Sequence, residues 1–113
     1  MYNKGDILVD KEQESQVVVV QLTTERCEDV VVKSKDVGEN RYADQTVYDY
    51  NSRYDYVQPD DPVVRAVYAE SLPAKPGELT QKGRRLLVQN TDVQAYSFPI
   101  SRLIPADERS GRF

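Results

Sequence analysis

Histidine and tryptophan do not occur in this sequence, and cysteine occurs once, as Cys27. The missing histidines remove the commonest general base and the commonest zinc ligand together. One cysteine allows no intrachain disulfide and, without histidine, no Cys/His zinc site, so neither metal nor cofactor is expected. Cys27 follows Arg26 in a polar turn, where a cation could favour the thiolate. No base stands ready to activate it, so a spectator thiol is the expectation. The five glycines are scattered, with no pair close enough to cradle a phosphate. The acidic pairs Asp60-Asp61 and Glu28-Asp29 lie in turns, where carboxylates are usually just solvated, and no calcium-loop spacing is present. These absences argue against an enzyme.

Long apolar runs are missing too. The longest, Val17 to Val20, is far too short to cross a bilayer. Met1 to Asp6 leads straight into a strand pattern without a long apolar core, so no signal peptide is expected and a cytoplasmic location is. Positive charge is also scarce: 15 Lys and Arg against 19 Asp and Glu leave a net charge of -4. That balance disfavours broad binding to nucleic-acid backbones, which needs cationic surface.

What remains is a β-rich pattern. At 113 residues the chain has room for one core, read here as a domain over 1–105 with a polar tail, 106–113. "KGDILVD" (Lys4 to Asp10) reads as a first strand. "QVVVVQLT" (Gln16 to Thr23) reads as a strand buried on both faces, and "VVVKS" (Val30 to Ser34) as a third. Asp36 to Asp44, with Gly38 and Asn40, reads as a hairpin tip or loop. After the breaker "QPDDP", Pro62 opens a fourth strand with Val64, Ala66 and Tyr68 on one face. Residues 79–90 are open between a helix, with Leu79, Leu86 and Leu87 at helical spacing and Asn90 as its stop, and a strand. "QAYSFPI" (Gln94 to Ile100) is a last strand at an edge. Ser101 then opens a tight turn through Ile104.

"TVYDYNSRYDY" (Thr46 to Tyr56) concentrates four of the chain's eight tyrosines. Thr46 can cap one helical turn over Val47 to Asn51, with Asp49 well placed in that turn; alternating strand faces are the competing reading. Tyrosine is amphipathic and enriched at interfaces, so Tyr48, Tyr50, Tyr54 and Tyr56 are candidate binding residues. The bland alternative has Tyr48, Tyr54 and Tyr68 closing one end of a core while Tyr50 and Tyr56 sit half exposed. "KGRR" (Lys82 to Arg85) is the only concentrated positive charge. It adds Arg84 and Arg85 as candidates, weighed against a solvated helix face.

Strand order and the early Gly-Asp turn look like the SH3-like barrels: mainly β, a small antiparallel or partly open barrel with one or two short helices. "VYDYN" also resembles the Ala-Leu-Tyr-Asp-Tyr signature of SH3 domains, which would put Tyr48 and Tyr50 against proline-rich ligands. That stretch lies mid-chain in a sequence without tryptophan, and the likeness is read as coincidence. Across "KGDILVD", "VVVVQLTTERCEDVVVK", "TVYDYNSRYDYVQPDDPVVRAVYAESL" and "YSFPISRLIPA" the chain is similar to a family of small uncharacterised haloarchaeal proteins. The resemblance implies an acidic intracellular protein adapted to high salt and carries no activity. The expectation is a non-catalytic interaction module that contacts an unidentified protein or a second copy of itself. Weak single-stranded nucleic-acid binding through the arginines and tyrosines is the alternative, and no membrane partner is expected.

Overall fold

The computed structural model describes residues 2–36 and 41–106, the side chains of 33–36 and 41–44 excepted. Seven strands form: β1 Ile7–Asp10, β2 Ser15–Arg26, β3 Val31–Asp36, β4 Arg41–Thr46, β5 Pro62–Tyr68, β6 Tyr96–Pro99 and β7 Leu103–Pro105. Two helices join them, α1 Val47–Asn51 and α2 Gln81–Gln89. Five strands make one antiparallel sheet in the order β6-β5-β2-β1-β7, and β3 and β4 make a separate hairpin. The molecule is thus mainly β, and the sheet is open: no ladder joins β6 to β7 among the described residues.

The valine run of β2 makes that strand the centre of the sheet. Val17 and Val19 point into a core with Leu8, Val64, Ala66, Phe98 and Leu103. Val18 points to the other face, where it packs with Val67, Leu72 and the Leu87 and Val88 side chains of α2. Alternation along one strand therefore feeds two cores, which is why the run is apolar throughout. Each fully buried Val or Leu contributes about 1.5–3 kcal/mol of burial. The register slips between Val19 and Gln21, and the bulge there bends the strand. A third cluster of Cys27, Val47 and Val63 ties the β3–β4 hairpin and α1 to the end of β5.

A 3₁₀ turn, Ile100–Arg102, links β6 to β7. Three residues of 3₁₀ rise only about 6 Å, so the opposite edges of the sheet converge at that end. On the far face, α2 sits where Gly5 lets it. Gly5 has φ +87, and a Cβ there would lie 2.7 Å from Arg85 Cγ and 2.8 Å from the Gln81 carbonyl oxygen.

Several local expectations are met. Thr46 caps α1 in a reciprocal box: its Oγ1 accepts from the Asp49 N–H at 3.0 Å while the Asp49 carboxylate accepts from the Thr46 N–H at 3.3 Å. The alternative left open over 79–90 resolves to a helix, Gln81–Gln89, with Thr80 as its N-cap and Asn90 as its C-cap. Two expectations are corrected. The hairpin tip or loop expected over Asp36 to Asp44 is shorter than that, because β4 begins at Arg41, held by six register pairs with β3. The tight turn expected from Ser101 through Ile104 ends at Arg102, and Leu103 and Ile104 form β7 against Val9 and Asp10. The hairpin tip at Gly38 and Asn40 and the tail from 107 to 113 lie outside the described residues.

Candidate functional site

Asp10 follows Leu8 on the inward parity of β1, and its carboxylate is fully buried. A charge there needs a partner. Arg102, delivered by the 3₁₀ turn from the other end of the sequence, supplies it in a two-pronged contact: Nε donates to Asp10 Oδ1 at 2.7 Å and Nη2 to Oδ2 at 2.9 Å. Arg102 Nη1 donates to Asn51 Oδ1 at 2.9 Å, and Asn51 Nδ2 donates to the Val47 carbonyl at 2.8 Å. The Tyr68 hydroxyl donates to Asp10 Oδ2 at 3.1 Å, and the Glu12 N–H to Oδ1 at 3.0 Å. Among the described residues no buried side-chain nitrogen or oxygen lacks a partner. Burial opposes the Arg102 charge, but hydrogen bonding and attraction from Asp10 outweigh it and hold protonation above its ordinary value. Burial, then the nearby Asp10 charge, pushes the Tyr68 phenol up to about 12.

This network fixes the floor of a cleft of about 670 Å³. Its walls come from α1 and the turn after it (Tyr50, Arg53), from β5 (Arg65, Tyr68) and from β6 with the residues before it (Gln94 to Phe98). Tyr50 is 51 % exposed and Tyr96 44 %. The Tyr68 ring meets Tyr96 at 5.5 Å between centroids and Phe98 edge-on at 5.8 Å. Three arginines line the cleft, and no carboxylate does among its described lining residues. Arg102 is neutralised by Asp10. Arg53 donates to the Tyr54 hydroxyl at 2.8 Å and Arg65 to Ser97 Oγ at 3.2 Å, and neither takes part in an ion pair among the described residues.

The sequence-derived candidates are scattered across this arrangement. Tyr50 lines the cleft, whereas Tyr48 packs on the Cys27, Val47 and Val63 cluster. Tyr54 and Tyr56 stack at 5.9 Å outside it, with Lys11 over the Tyr56 ring and Arg53 over Tyr54. The Tyr56 hydroxyl donates to Glu12 at 2.6 Å; burial and this bond push its phenol above its ordinary value. Arg84 gives its guanidinium to the Gly5, Pro76 and Leu79 carbonyls. No hydrogen bond, ring contact or shared cavity joins Arg84 or Arg85 to the four tyrosines among the described residues.

The remaining chemical candidates are engaged locally. Cys27 is fully buried, and burial, then the nearby Asp61 charge, pushes its thiol up to about 12. Asp61 accepts from the Ser101 hydroxyl at 2.6 Å and the Gln58 N–H at 3.1 Å. Glu28 and Asp29 pair with Arg26. Among the described residues, no three His, Cys, Asp or Glu side chains group as a metal site would require.

Sequence reasoning offers Tyr96 as a ring for stacking on bases, but it does not single out Asp10, Arg53, Arg65 or Arg102 as site residues. One signal was available: Asp10 shares the alternation of Leu8, so a β1 strand with Leu8 inward also turns a carboxylate inward. Its partner lies 92 residues away and becomes visible only with the topology. Comparison with protein-family models, with curated proteins and with solved structures finds no match to this chain.

Proposed function

We propose that this chain is a non-catalytic interaction module that receives a protein partner in the cleft between α1 and β6. One observation carries the reading: exposed Tyr50 and Tyr96 flank Arg53 and Arg65, two cations with no carboxylate partner among the described residues, in a chain of net charge -4. Aromatic rings and arginines concentrate where interfaces draw their binding energy. The buried ion pair beneath them holds the floor rigid, which lowers the ordering cost of binding. We read the architecture as a partly open SH3-like barrel; the 3₁₀ link that draws β6 and β7 together supports this. We further propose membership of the haloarchaeal group it resembles and a cytoplasmic setting. Among the described residues, no helix is long and apolar enough to cross a membrane.

The test places a photoreactive benzoylphenylalanine at Tyr50 or Tyr96, with Leu86 on α2 as the control, and irradiates living cells. A discrete protein adduct from positions 50 and 96, absent from 86 and abolished by Arg53→Glu with Arg65→Glu, is expected. Adducts from position 86 alone, or none, would overturn the reading. A second reading, single-stranded nucleic acid, draws on the same exposed rings beside arginines, on which bases could stack. It runs through this cleft rather than α2, since Arg84 is engaged, and it predicts nuclease-sensitive adducts with steep salt dependence.

A further inference from the structure

Strand β6 pairs with β5 on one side and has no strand on the other among the described residues. An edge strand keeps a row of outward N–H and C=O groups, a template for another strand. Protection of such edges commonly takes the form of a covering loop, a bulge or an inward charge. Here α1 packs beside β6 and buries Phe98 and Pro99, so the open part of this edge runs from Gln94 to Ser97, where it forms a wall of the cleft. No described residue makes a further backbone–backbone hydrogen bond with residues 94–99 beyond the β5 ladder.

The side chains beside this edge specify what would pair with it. Arg65 and Ser97 are register partners and share one face of the sheet. Tyr96 and Phe98 share the other with Tyr68, whose hydroxyl reaches the Asp10–Arg102–Asn51 network. Arg53 follows α1, whose Asn51 belongs to that network. The cleft is therefore lined from both faces of the edge, with a cation contributed beside each.

We propose that the occupant is an extended acidic segment of another protein that adds to β6 as a further strand, its carboxylates meeting Arg53 and Arg65. This rests on the reading of the cleft as a protein-binding site and names the partner's chemistry. Main-chain hydrogen bonds along β6 supply affinity, and side chains alternating between two arginine-bearing faces supply selectivity. The open stretch from Gln94 to Ser97 spans about 13 Å, so roughly four residues of the partner lie along it. A second copy of this chain fits poorly. Pairing β6 with β6 about a two-fold axis would bring two sets of the same arginines together without an opposing carboxylate among the described lining residues.

The experiment titrates the full chain with the octapeptide Val-Glu-Glu-Val-Val-Glu-Glu-Val, capped at both ends, by calorimetry at about 0.15 M salt. Companion ligands are the same peptide with lysine for glutamate, two forms N-methylated at alternate amides in either phase, and oligothymidylate of about ten nucleotides. The acidic peptide is expected to bind and the lysine peptide not to. Arg53→Ala and Arg65→Ala should each weaken binding about tenfold, the ordinary worth of a charge-assisted hydrogen bond. One N-methylation phase should bind and the other fail, because only alternate amides of an added strand face β6. Equal binding by both phases would overturn strand addition and leave the cleft a protein site. Binding of oligothymidylate alone would overturn both readings. No binding by any ligand would overturn the acidic-strand proposal, while the crosslinks from positions 50 and 96 would still decide the broader one.

Discussion

Arg84 and the pair Arg53 and Arg65 show one residue type put to two uses in one molecule. On the α2 side, the Arg84 guanidinium is taken up by three backbone carbonyls and holds the helix against the start of β1. In the cleft, Arg53 and Arg65 each meet a neutral hydroxyl and keep their charge uncompensated among the described residues. Arg102, between these extremes in role, is buried and fully matched to Asp10. The difference teaches that an arginine marks a site only when its surroundings have not already supplied its acceptors. Sequence clustering singled out Arg84 and Arg85, whereas the uncompensated charges in the cleft are 12 positions apart, at Arg53 and Arg65.

The comparison can be broken or sharpened by substitution. The largest effect is expected at the buried pair: Arg102→Met leaves the buried Asp10 charge without its cation, and should cost about 3–5 kcal/mol in urea unfolding. A loss below about 1 kcal/mol would show that the pair does not hold the cleft floor. Next, Arg84→Ala should cost about 1–3 kcal/mol by stripping donors from backbone carbonyls, with no change in ligand binding.

Alkaline pH comes third. Folding raises the Tyr68 phenol from its ordinary 10.0 to about 12 and the Cys27 thiol from 9.0 to about 12. Each raised value means the fold favours the protonated form. The stability is therefore complete below the ordinary values and is lost as pH climbs towards about 12. Melting temperature should fall from about pH 9 upward, and Tyr68→Phe should flatten the part of that fall above about pH 10. An unchanged profile in the variant would remove Tyr68 from the account. The smallest stability effect belongs to Arg53→Ala and Arg65→Ala, each within about 1 kcal/mol, because each removes one hydrogen bond to a neutral hydroxyl.

Local physics made much of the fold legible. Thr46 and Asp49 define their helix through contacts three residues apart, and the valine run of β2 declares a strand buried on both faces. Because Tyr48 and Tyr50 lie on that capped helix, "VYDYN" is not a strand motif of SH3 type, and the two rings diverge into core and cleft. Arg41 to Thr46 hid its strand because Arg41, Asp44 and Gln45 give no apolar alternation; pairing with β3 decides it. β7 hid because three residues ending in Pro105 carry little intrinsic preference, and its partner β1 is about 90 positions earlier in sequence. The cleft hid for the same reason: its residues come from α1, β5 and β6, and only the sheet order places them together.

The most direct measurement is paired. Affinity for the acidic octapeptide and unfolding free energy are recorded for the protein carrying both Arg53→Ala and Arg65→Ala, and for the protein carrying Arg84→Ala. The account predicts that the first keeps its stability and binds about a hundredfold more weakly, while the second loses stability and binds as before. Binding that survives in the first protein, or disappears only in the second, would contradict it.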